Sequence, residues 1–102
     1  MTMRESIQKI VKITTAFRLL GDVSRYKILF VLEKKREGMC VNEIAEAVGL
    51  SPSATSHQLA KLEAHRVVDK YREGQLVCYV LRNTEEAKRI ITLLRASKLF
   101  ST

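Results

Sequence analysis

Apolar residues recur along the first segment, from about Glu5 to Leu20, at Ile7, Ile10, Val11 and Phe17 with Thr14 between them. These positions form one face of an amphipathic helix. Gly21 ends that helix. Asp22 and Ser24 each offer an N-cap for a second helix running to Glu33 or a little beyond, with Lys34, Lys35 and Arg36 near its negative end. Its apolar positions, Val23, Tyr26 and Ile28 to Leu32, reach nearly round the helix, which predicts a place in the middle of the core. A short third helix is expected from about Val41 to Val48, with Ile44, Ala45 and Val48 on one side and Gly49 as its stop. After Leu50, Ser51 is suited to an N-cap and Pro52 to the first helical position, so a fourth helix opens there and continues to about His65.

From Arg66 the period falls from 3.6 to 2. Val67, Val68 and Tyr71 lead into Arg72-Glu73-Gly74-Gln75, after which Val77, Tyr79 and Leu81 alternate with Leu76, Cys78 and Val80: a hairpin with a polar, basic tip. Asn83 or Thr84 then caps a last helix, read as far as Phe100, in which Ala87, Ile90, Ile91 and Leu94 repeat the helical spacing. The predicted order is αααα-ββ-α, mainly α with a small β-hairpin. The third and fourth helices, joined by a short glycine-containing turn, read as a helix-turn-helix and the hairpin after them as a wing. With 102 residues the chain has room for one such domain, expected over residues 1–102.

On the fourth helix Thr55, Leu59 and Leu62 share the inward stripe, which leaves Ser53, Ser56, His57, Ala60 and Lys61 facing out. Short polar side chains let a helix approach the major groove closely, where Ser and His meet base edges or phosphates and Lys meets a phosphate. Ser51, Ser53, Ser56, His57 and Lys61 are therefore the expected DNA contacts of this helix, and Lys70, Arg72 and Gln75 those of the wing. Eighteen Lys and Arg against eleven Asp and Glu give a formal charge of +7, a sign that favours a polyanionic partner. Ser56 and His57 do not form a nucleophile and base, because adjacent helical positions point about 100° apart. No glycine-rich phosphate loop or carboxylate pair accompanies them, so no catalytic residue and no enzyme is expected.

From Phe17 to Leu81 the chain resembles the ArsR/SmtB family of winged-helix repressors. The stretch "FRLLGDVSRYKIL" is similar to the family's second-helix opening, "VNEIAEAVGLSPSATSHQLAKLEAHRVV" to its helix-turn-helix, and "YREGQLVCYVL" to its wing. The resemblance implies a symmetric homodimer built by the first and last helices, binding to a double-stranded operator that blocks transcription, and an inducer that releases the DNA. Ile7, Ile10, Val11 and Phe17 with Ile90, Ile91 and Leu94 are the expected interface, since a small domain has difficulty covering two apolar stripes alone.

Metal-sensing members of that family carry a CxC pair on the third helix or Asp, His and Glu ligands on the last one. Here Cys40 matches the first thiol and Asn42 stands in place of the second, while Thr84 to Phe100 contains no His. One thiol is too few for a soft metal, so no metal ligand and no cofactor is expected, and a metal-responsive repressor would need an atypical site. Cys40 and Cys78 are too few and too isolated to read as a disulfide framework. They are candidates for a redox switch, by reversible oxidation or an intersubunit disulfide, beside the plainer role of small buried apolar residues. His65 is expected to satisfy a terminal carbonyl or face solvent. The longest apolar run, Ile28 to Leu32, is far short of the roughly 20 residues that cross a bilayer, and no signal-like segment opens the chain, so no membrane is expected and the compartment is read as cytoplasmic.

Overall fold

A computed structural model describes residues 1–97. The elements are α1 (Met3–Leu20), α2 (Val23–Lys34), β1 (Met39–Cys40), α3 (Val41–Val48), α4 (Pro52–Ala64), β2 (Val68–Glu73), β3 (Leu76–Leu81) and α5 (Glu85–Ala96). Side-chain caps start four of the helices. Thr2 accepts from the Glu5 N–H at 3.1 Å, Asp22 from Arg25 at 3.0 Å, Ser51 from Ala54 at 3.0 Å and Thr84 from Ala87 at 3.1 Å. Asp22 rather than Ser24, and Thr84 rather than Asn83, thus begin their helices. The expected continuation of the last helix to Phe100 lies outside the described residues.

The strands form one antiparallel sheet in the order β1-β3-β2. β2 and β3 are the predicted hairpin, paired from Val68 with Leu81 to Glu73 with Leu76. β1 is an addition to the sequence reading: Met39 pairs with Tyr79 and Cys40 with Cys78. Gly38, at φ 105°, makes the bend into it, and a Cβ there would run into the Tyr71 hydroxyl and ring.

Ile28, Leu29 and Leu32 place α2 at the centre of the core, as its near-continuous apolar surface predicts, although Val23 at its start is exposed. Around them pack Ala16 and Leu19 of α1, Ile44 and Val48 of α3, Leu59 and Leu62 of α4, and the sheet residues Val68, Tyr79 and Leu81. Glu33 of α2 is buried and doubly neutralised: Arg95 of α5 donates to Oε1 from Nε at 3.1 Å and Nη2 at 2.5 Å, and Arg36 to Oε2 at 2.5 Å. Arg25 makes a second polar joint. Its Nε donates to the Leu19 carbonyl at 2.8 Å, Nη2 to that of Arg18 at 3.0 Å, and Nη1 to Gln58 Oε1 on α4 at 3.2 Å. At the end of α4, Arg66 adopts φ 64° and the His65 Nδ1–H donates to the Lys61 carbonyl at 3.0 Å. That is the carbonyl-satisfying role expected of this histidine.

α5 requires a correction. Ile90 and Leu94, expected at a dimer interface, are each 1% exposed and belong to the chain's own core with Ala87. Ile91 is half-buried against that core. The helical period identifies a buried stripe but not the surface that buries it, and here the cover is intramolecular. Ile90→Ala is therefore expected to cost about 2–5 kcal/mol of unfolding free energy. In urea the midpoint should fall with little change of slope, whereas exposed Lys88→Ala should move it by less than about 0.5 kcal/mol.

Candidate nucleic-acid interface

The turn between α3 and α4 follows from three residues. Gly49 takes the left-handed conformation at φ 74°, Leu50 is half-buried against the core, and Ser51 caps α4. Thr55 is fully buried, and its Oγ1 donates back to the Ser51 carbonyl at 2.9 Å. With Leu59 and Leu62 also buried, α4 is locked by that stripe and its other face is turned to solvent. Ser53, Ser56, His57 and Lys61 all lie on the exposed side. Ser51 is exposed too, but its hydroxyl is engaged in the cap.

On the wing, Lys70 and Arg72 stand two positions apart on one face of β2 and are exposed, and Gly74, at φ 63°, turns the chain so that Gln75 sits at the tip. A groove runs between the start of α4 and the wing. Ser53 and Ser56 line one side, Gln75 and Val77 the other, and Cys40 and Asn42 are also in its wall. Thus all eight residues expected to meet DNA are at the surface, and three of them, from elements far apart in sequence, share this groove. Ser51, His57, Lys61, Lys70 and Arg72 lie outside its lining.

A second surface lies on α1. Ile7 is 52% exposed, and Ile10, Val11 and Phe17 are each 56% exposed, an apolar stripe that the chain itself leaves open.

The cysteines are where sequence reasoning fell short. Cys40 and Cys78, separated by 38 positions, are joined in a disulfide within the chain. Both are buried, as small apolar residues would be, but they are directly opposite each other on β1 and β3. Isolation along the chain was no guide, because β1 is too short for strand alternation to reveal it. Glu73, two residues beyond the Tyr71 that pairs with Cys78, brings Oε2 to 3.8 Å from Cys40 Sγ. The donor count that gave one thiol beside Asn42 is therefore corrected: Cys78 and Glu73 converge on Cys40, with the three donor atoms within 4.8 Å of one another. In the disulfide form the two sulfurs carry no thiolate charge and are poor metal ligands.

Residues 22–70 match the family described as "Bacterial regulatory protein, arsR family". The cadmium resistance transcriptional regulatory protein CadC of Listeria innocua is 39% identical over 67 residues, which are 66% of this chain and 56% of that protein. The match thus spans little more than half of that relative's length. The HTH-type transcriptional regulator YgaV of Escherichia coli is 33% identical over 82 residues, covering 78% of this chain and 82% of YgaV. Among solved structures, reduced HlyU from Vibrio cholerae superposes with a TM-score of 0.76 at 28% identity, over 92% of this chain and 97% of HlyU.

Glu43 holds the junction of β1 and α3. Its Oε1 accepts the Cys40 N–H at 3.0 Å and Oε2 accepts from Lys35 Nζ at 3.2 Å, and these contacts, the backbone bond first, hold its carboxyl below the ordinary range. A lowered folded pKa contributes stability above the unfolded value of about 4.3, and that contribution is lost as pH falls through the folded value. Carboxyl NMR should accordingly place the Glu43 midpoint below the unfolded value of about 4.3, and Lys35→Gln should raise it part of the way back. A Glu43 midpoint at or above that value would contradict the cap.

Proposed function

Because the chain belongs to the arsR family of bacterial regulatory proteins, we propose that it is a homodimeric, sequence-specific repressor that binds double-stranded operator DNA. The observation that carries this reading is the shared groove: Ser53 and Ser56 of α4 and Gln75 of the wing stand around one cleft, with Lys70 and Arg72 exposed on β2. In this reading α4 enters the major groove, where Ser56 and His57 meet base edges and Ser51, Ser53 and Lys61 the backbone. The wing contributes Lys70, Arg72 and Gln75 along the adjacent phosphates. The open stripe of α1, Ile7, Ile10, Val11 and Phe17, supplies the dimer contact together with half-buried Ile91 of α5. The protein acts in the cytoplasm, where its DNA is, and carries out no catalysis. No helix of the described residues is long and apolar enough to cross a membrane.

Two measurements test the reading. In fluorescence anisotropy, Ser56→Ala and His57→Ala should weaken operator binding by about 1–3 kcal/mol each while leaving mixed-sequence duplex binding nearly unchanged. Arg72→Ala should weaken both and reduce the salt slope by about 1. An Arg72 effect confined to the operator would move the wing from backbone contact to base reading.

Sedimentation addresses the dimer. The unaltered chain should sediment as a dimer and Ile10→Glu as a folded monomer, because position 10 is open in the single chain and an ion there faces an apolar partner. A stable monomer of the unaltered chain would remove α1 from this role.

A further inference from the structure

We propose that Cys40 and Cys78 form a reversible dithiol–disulfide couple whose state sets the affinity of the α4–wing surface for DNA, with hydroperoxides as the oxidant class. The link to affinity rests on the DNA reading above; the thiol chemistry itself does not.

Three placements carry the inference. Cys40 is the N-cap residue of α3, where the positive end of the helix favours a thiolate. Glu73 Oε2, at 3.8 Å, is positioned to accept the thiol proton of the reduced form. Cys40 also lines the open groove with Ser53, Ser56 and Gln75, so a small oxidant reaches it from the face proposed to meet DNA, while Cys78 is fully buried behind it. Cys40 is thus the attacking sulfur and Cys78 the resolving one.

The electrons balance in two steps. The Cys40 thiolate attacks the peroxide O–O bond, taking one oxygen as a sulfenic acid while the other leaves as water or an alcohol after protonation. The Cys78 sulfur then attacks the sulfenic sulfur, the S–S bond forms, and the second oxygen leaves as water. Two thiols have lost two electrons and two protons to one hydroperoxide. A dithiol reductant reverses the change by exchange.

The consequence for DNA follows from the sheet. β1 has two residues, Met39 and Cys40, and short pairings of that kind are weak without support. The disulfide ties the first turn of α3 covalently to the middle of β3 and so holds the helix-turn-helix and wing around their common groove. Reduction leaves that junction free to open, and binding must then order it again. The oxidised dimer is therefore the tighter DNA binder.

The full chain is to be compared after dithiothreitol and after hydrogen peroxide, with mixed-sequence duplex as the anisotropy probe and intact-mass spectrometry and non-reducing gels in parallel. Peroxide should remove two hydrogens per chain without cross-linking chains, raise DNA affinity about tenfold, and be reversed by dithiothreitol. Cys40→Ser and Cys78→Ser should each bind DNA without responding to either reagent. Glu73→Gln should slow disulfide formation and leave its end point unchanged. Equal affinity of the two states, tighter binding by the reduced state, or a bond between chains instead of within one would each overturn the proposal. Failure of every form to bind DNA would remove the DNA reading and with it the link to affinity. The mass measurement would still separately report whether the couple forms.

Discussion

Two residue pairs, Met39 with Tyr79 and Cys40 with Cys78, determine how the helix-turn-helix and the wing stand to one another. Along the chain those units communicate only through the end of α4 and the strand that follows. The β1–β3 pairing adds a second attachment, at the opposite end of the helix pair, because β1 runs straight into α3. So short a strand needs help, and several neighbours give it. Met39 is buried, Gly38 leaves room for the Tyr71 ring, Glu43 accepts the Cys40 N–H, and the disulfide crosses the pair. The groove between α4 and the wing exists because these contacts agree on one spacing.

Behind that surface, polar joints fix helices that the apolar core alone would let slide. Apolar contact is non-directional, so Ile28, Leu29 and Leu32 place α2 at the centre without specifying its rotation. Glu33 supplies direction. It sits on the most buried helix, and leaving its carboxylate unpaired there would be costly, so the Arg95 fork holds α5 at one angle against α2.

Much of this was legible in the chain. The glycine after α3, the Ser51-Pro52 start of α4, the shift to period 2 after Arg66 and the Thr55, Leu59 and Leu62 stripe each have a local physical cause, and each fell where expected. What stayed hidden was non-local. β1 is below the length at which alternation means anything, and the approach of Cys78 and Glu73 to Cys40 depends on a strand register that no local pattern encodes. Ile90 and Leu94 show the converse limit: their period was read correctly, yet the surface that covers them is the chain's own core instead of a second copy.

Arg25 joins α1 to α4. Through one guanidinium the last carbonyls of α1 are held to Gln58 on α4, so the angle between those two helices is set by a rigid planar fork. In a dimer assembled on α1, that angle becomes a caliper. The distance between the two α4 helices is then built into each protomer before any DNA is met, and with it the number of base pairs between the half-sites such a dimer can span.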